Sequence, residues 1–229
     1  FLAGTHLYSG VTTALFARER TGEGATVDIS MQDCVFPTLA TAIGSYYIAG
    51  EQLPRAGSRH PSKALAPYNV YEAADGHVAI ICIREGHWKK LCVAMGNPDL
   101  ADDERFKNNT MRSLNIDEVD RVVTEWTSGL SRAEITQLTQ DNGVICAPVN
   151  NIPEALDDPH MLIRGSLQKR NNPNLGEISQ FQTPIRFSDI DPPELRDVQA
   201  LGESTDAILK ELAGADDAEL IALREMEAI

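Results

Sequence analysis

Residues 4–33 read GTHLYSGVTTALFARERTGEGATVDISMQD. Gly4, Ser9, Gly10, Thr12, Thr13 and Ala14 are small, while Leu7, Val11 and Leu15 recur at a spacing of four. That spacing predicts a helix with one apolar stripe, open to close approach by other backbone. Arg18 and Arg20 fall in its last turn, where positive charge suits the negative end of the helix dipole. Thr21-Gly22-Glu23-Gly24 ends it, because glycine accepts the left-handed backbone of a helix exit. Val27 and Ile29 then alternate with Asp28 and Ser30, predicting a strand with one buried face. Helix, tight turn and strand in succession predict part of an α/β domain.

Working outward, residues 31–50 predict a second helix with Phe36, Leu39, Ala40, Ile43 and Tyr47 on its apolar side. The pair Tyr46-Tyr47 is expected in the core or at a subunit interface. Residues 51–67, EQLPRAGSRHPSKALAP, then break periodicity with three prolines and a glycine. Arg55, Arg59, His60 and Lys63 gather there. A solvated connector is one reading. An anion-binding loop is the other, since Arg and Lys donors suit carboxylates and phosphates. Both stay open at this point.

Residues 68–72 and 77–83 predict a hairpin joined by Ala73-Ala74-Asp75-Gly76. Helices are expected over 86–95 and 117–128, and again after Ser131, whose spacing to Glu134 is that of a capping box. Asn142-Gly143 ends the last of these, and 144–147 predict a short buried strand. Together 68–149 predict a compact α+β unit. Ile152-Pro153-Glu154 opens a short helix with proline in its favoured first turn. Residues 167–169 and 185–188 are candidate strands, and 189–197 an acidic, proline-bearing linker. Residues 205–213 predict a helix closed by Gly214, and Asp216 with Glu219 caps a last one.

The chain has 229 residues, 42% hydrophobic content and a net charge of −14. Such a composition suits a folded protein rather than a disordered one. The acidity argues against nucleic acid or an anionic membrane as a partner. Cys34, Cys82, Cys92 and Cys146 lie far apart in apolar runs, which predicts buried thiols in a reducing cytoplasm rather than disulfides. No apolar run approaches the roughly 18 residues of a membrane span. His6, His60, His77, His87 and His160 lack ligand spacing, so no metal site is expected. Gly22-Glu23-Gly24 follows a helix and precedes a strand, the wrong order for a phosphate loop. Asp28 and Asp33 read as structural carboxylates and Arg84-Glu85 as a solvated ion pair.

The opening helix, its Arg-x-Arg-Thr-Gly-x-Gly exit and Val27-Asp28-Ile29-Ser30-Met31-x-Asp33 resemble the class III (CaiB/BaiF-type) CoA-transferases. The resemblance continues through Ala66-Pro67-Tyr68-Asn69-Val70-Tyr71, Ala94-Met95-Gly96-Asn97-Pro98-Asp99, Gly143-Val144-Ile145-Cys146-Ala147-Pro148, Pro184-Ile185-Arg186-Phe187-Ser188 and Leu201-Gly202-Glu203-Ser204-Thr205. It implies an α/β architecture: the remainder of a Rossmann-like large domain (1–66 and 151–229) around an inserted small α+β domain (67–150), in an interlocked homodimer. It also implies an aspartate nucleophile four residues before the glycine matching Gly4, immediately before Phe1, with Gly4 and His6 on the helix beside it. The chain then corresponds to the C-terminal half of an enzyme, inactive alone.

The implied substrates are a coenzyme A thioester and a carboxylic acid, with no permanently bound cofactor. The implied substrate-binding loop comprises Arg59, His60, Pro61, Ser62 and Lys63. Its counterpart is glycine-rich in some relatives, and His60-Pro61-Ser62-Lys63 here argues against the formyl/oxalyl substrate pair. An α-methylacyl-CoA racemase of the same superfamily, and a non-catalytic module pairing with a separate chain, are the alternative expectations.

Overall fold

Helix α1 spans Leu2–Thr21 and ends where expected: Gly22 adopts φ 77° and its N–H donates to the Arg18 carbonyl. The computed structural model describes residues 1–172, 175–195 and 199–229. None of the α1 residues is buried, and Leu7, Val11 and Leu15 all lie exposed. Gly10 permits close packing, since a Cβ there would come within 2.9 Å of Val27 Cγ1. The expected strand at 27–29 does not form. Val27 and Ile29 are half-buried while Asp28 and Ser30 are exposed, so the alternation is present. No strand among the described residues lies alongside to complete a ladder, and an extended segment without one is not a strand.

The single helix expected over 31–50 is broken into α2 (Met31–Val35), a 3₁₀ turn (Phe36–Leu39) and α3 (Ala40–Ala49). Pro37 is the cause: it lacks an N–H and its ring disturbs the preceding turn. Ser30 caps α2 by accepting the Asp33 N–H at 3.3 Å.

Strands β1 (Tyr68–Ala73), β2 (Gly76–Ile81) and β3 (Ile145–Pro148) form an antiparallel sheet in that order, with Tyr71 opposite Val78 and Ile80 opposite Cys146. The β1–β2 turn is the expected one. Strand β3, at the sheet edge beside β2, is largely exposed rather than buried, with only Cys146 half-buried. Helices α4 (Glu85–Ala94), α5 (Asn109–Leu114), α6 (Ile116–Thr127) and α7 (Arg132–Asp141) complete this part. The Ser131 capping box closes reciprocally with Glu134.

Helix α6 turns Ile116, Val119, Val123 and Thr127 inward. Ile116, Val119 and Val123 meet Val78, Ile80, Trp88, Leu91, Phe106 and Ile135 in one core. The cysteines are free thiols, with Cys34, Cys82 and Cys92 buried. Burial pushes the Cys82 thiol up to about 12, so it stays protonated near neutrality.

Arg112 is only 1% exposed. Its Nε donates to the Ala66 carbonyl at 2.7 Å, and one Nη donates to the Phe106 carbonyl and to Glu85, each at 2.9 Å. Partial burial opposes the Glu85 charge, but Arg112 and the Asn109 N–H hold its carboxyl below the ordinary value of 4.5. A depressed carboxylate contributes stability that is complete above its unfolded pKa and lost as pH falls through the folded value. The denaturation midpoint is therefore expected to fall below about pH 4.5, and less steeply in Glu85→Gln. Asp103, held near 2 by Arg105, adds its own acid dependence in both proteins. Equal slopes in a titration series of urea melts would remove Glu85 from the account.

Phe1–Val149 is one compact unit and Asn150–Ile229 a second. In the second, α8 (Ile152–Leu156) starts with a capping box between Asn151 and Glu154, and α9 (Pro159–Ile163) follows. Strands β4 (Leu167–Asn172) and β5 (Gly176–Phe181) then form an antiparallel pair. Residues 185–188 are not a strand, correcting that expectation. β5 is the partner of β4, and Arg186 donates to the Thr183 and Gly165 carbonyls, holding this stretch as loop. The expected linker 189–197 lies partly outside the described residues. Helix α10 (Thr205–Ile208) runs on as a π-turn (Leu209–Ala213) to Gly214, and Asp216 caps α11 (Asp217–Glu225) with Glu219. Among the described residues no helix is long and apolar enough to cross a membrane.

Candidate functional site

The apolar residues of the segment broken at Pro37 line a cavity of about 930 Å³. Phe36, Leu39, Ala42, Ile43, Tyr46 and Tyr47 make one wall; the loop from Gln52 to Gly57, with Arg59 and Pro61, makes the other. Tyr46 and Tyr47 meet edge to face at 5.7 Å. They are not core residues: Tyr47 is 77% exposed. The size suits a small-molecule site.

The loop is tied down at several points. Arg59 Nε donates to Asp120 Oδ2 at 2.6 Å and its Nη2 lies 2.7 Å from Asp117 Oδ1. Burial works against this guanidinium, but the hydrogen bonds and charges of Asp117 and Asp120 outweigh it and raise its pKa. Ser58 Oγ donates to Asn69 Oδ1 at 2.5 Å. His60 Nδ1 lies 2.8 Å from Ser62 Oγ, and its ring meets Tyr68 edge-on at 5.1 Å. Lys63 has φ 53° and donates its N–H to the His60 carbonyl. Asn109 holds the loop's end, donating to the Ala64 carbonyl at 2.6 Å.

Of the residues singled out from sequence, Arg55, Arg59 and Pro61 therefore line one cavity, with His60, Ser62 and Lys63 in the adjoining turn. Gly4 and His6 are not among its lining residues. His6 Nδ1 bonds the Leu2 carbonyl at 2.9 Å, and a Cβ on Gly4 would meet nothing within 4 Å.

Sequence reading passed over Asp120. It accepts from Tyr71 Oη at 2.7 Å and Asn69 Nδ2 at 3.1 Å as well as from Arg59. Burial, then the Asp120 charge, pushes the Tyr71 phenol well above its ordinary range, so it acts as a donor. A signal was available: Asp120 falls between Val119 and Val123 on the inward face of α6, and a carboxylate there requires partners.

A mixed α/β chain holding an apolar cavity with guanidinium groups at its wall suits a ligand that is anionic at one end and apolar elsewhere. The chain belongs to CoA-transferase family III, whose model matches residues 1–205. It is 36% identical over 184 residues to the succinyl-CoA:mesaconate CoA-transferase of Haloarcula hispanica, covering 80% of this chain and 45% of that protein. Against the acetyl-CoA:oxalate CoA-transferase of Acetobacter aceti it is 32% identical over 214 residues, 93% of this chain and 53% of the relative. The crystal structure of a CAIB/BAIF family protein from Brucella suis superposes with a TM-score of 0.74 at 31% identity, covering 93% of this chain and 54% of that one. The chain thus spans about half the length of the curated relatives it matches.

Proposed function

We propose that this chain is the C-terminal half of a CoA-transferase that moves CoA from an acyl-CoA to a free, small dicarboxylic acid. Family membership carries this reading, because both relatives described above are named for CoA transfer to a dicarboxylate, mesaconate or oxalate. The whole enzyme is a cytoplasmic, interlocked homodimer. Its Rossmann-like large domain includes 1–66 and 151–229, and its small domain is 67–150.

The nucleophile is an aspartate immediately before Phe1, beside the N-terminus of α1 with Gly4 and His6. A helix N-terminus offers N–H groups where negative charge develops. The carboxylate attacks the thioester carbonyl, the C–S bond breaks and CoA leaves as thiolate, giving a mixed anhydride. The thiolate attacks the aspartyl carbonyl and releases the donor acid. The acceptor carboxylate then displaces thiolate from aspartyl-CoA. The thiolate takes up the acceptor acyl group from the second anhydride, freeing the aspartate. The basic loop carrying Arg55, Arg59, His60, Pro61, Ser62 and Lys63 covers these intermediates and binds the acceptor acid.

Full-length protein given succinyl-CoA and mesaconate is expected to yield free succinate and a new thioester in equal amounts. Residues 1–229 alone are expected to yield neither. CoA release without a new thioester, or α-deuterium incorporation into a branched acyl-CoA with no acceptor, would overturn the transferase. Turnover by residues 1–229 alone would overturn the placement of the nucleophile.

A further inference from the structure

The basic residues of the loop differ in their surroundings. Asp120 is 8% exposed. Its Oδ1 accepts from Tyr71 Oη, and its Oδ2 accepts from Asn69 Nδ2 and Arg59 Nε. Asn69 and Tyr71 stand two residues apart on β1, so the sheet and α6 fix this carboxylate from two sides. Arg59 is its cationic partner, and a buried carboxylate without one is costly. Asp117, 89% exposed, takes the other side of the same guanidinium. One positive charge thus faces two negative ones, and a third carboxylate arriving there would meet net repulsion.

Arg55 is different. It lines the same cavity, is exposed, and has no ion pair among the described residues. Only a tight turn separates the two arginines: the Arg59 N–H donates to the Ala56 carbonyl, and Gly57 takes φ 66°. The Ser58–Asn69 bond pins that turn to β1. With Arg59 held in this arrangement, Arg55 lines the cavity wall.

We propose that Asp120, assisted by Asp117, is a positioning residue that latches Arg59 and so seats the 52–61 loop, leaving Arg55 as the guanidinium that receives the acceptor carboxylate. The second clause rests on the CoA-transferase reading. The first stands on the geometry alone.

Two measurements on the full-length protein test it. Trypsin cleavage of the Arg59–His60 bond is expected to accelerate roughly tenfold in Asp120→Asn, and by less in Asp117→Asn, as the loop opens more often. Asp117 is a surface residue, so its variant reports on the latch even where Asp120→Asn unfolds. The acceptor KM is expected to rise about tenfold or more in Arg55→Gln, with kcat and the acyl-CoA KM little changed. In Arg59→Gln, acceptor KM and cleavage at Lys63 are expected to rise together, and Arg59→Lys to restore both in part. Unchanged cleavage in both aspartate variants overturns the latch. A raised acceptor KM in Arg59→Gln with none in Arg55→Gln overturns the division of roles. Faster cleavage with acceptor KM unmoved in every variant supports the latch and overturns the acceptor-binding reading of the loop.

Discussion

Replacing Arg112 by methionine is expected to lower the stability of the folded chain by about 3–5 kcal/mol, read from the urea midpoint at constant m-value. Methionine nearly preserves the apolar volume, so packing is not the main loss. The loss lies in the donors. The carbonyls of Ala66 and Phe106 both sit on fully buried residues and both take their bond from this guanidinium. Each buried acceptor left without a partner costs about 1–3 kcal/mol. Glu85 adds less, because its side chain is half exposed and water can replace the arginine. Lysine restores one of these bonds and not the fork, so Arg112→Lys is expected between the two. A loss below about 1 kcal/mol for Arg112→Met would mean that solvent reaches those carbonyls, and the account of this site would fail.

Truncating Trp88 to alanine is expected to cost about 3–5 kcal/mol, whereas Phe16→Ala on α1 is expected to cost under about 0.5 kcal/mol. Trp88 is fully buried, meets Phe106 edge-on at 5.8 Å, and carries the Arg112 guanidinium 5.3 Å from its ring centroid. Its removal opens a cavity among side chains that cannot all close in. Phe16 is exposed, with the Arg20 guanidinium 4.2 Å from its ring centroid. Trp88→Phe separates volume from polarity. The indole Nε1 is buried with no hydrogen-bond partner among the described residues, so losing that N–H is cheap and phenylalanine is expected to recover most of the stability. Denaturation of the three variants by guanidinium checks the order. Equal losses for Trp88→Ala and Phe16→Ala would place the folding energy elsewhere than the core around α4 and α6.

Much of the local structure was readable from neighbouring residues alone. Gly22 ends α1, the Ser131–Glu134 and Asp216–Glu219 boxes start α7 and α11, and the β1–β2 hairpin turns at the residues expected. Each depends on groups within a few positions of one another, so spacing reveals it. The family was readable too, because its motifs recur in order along the chain. Tertiary context decided the rest. Val27 and Ile29 have the alternation of a strand and lack a neighbouring strand among the described residues, and alternation cannot supply one. Residues 185–188 lost a strand partner to β5. The basic loop announced its charges by composition, yet which of them are free was settled by Asp117 and Asp120, about sixty residues onward on α6. Spacing reports what a side chain's near neighbours allow. Whether its charge is already spent depends on what the folded chain brings against it from far away.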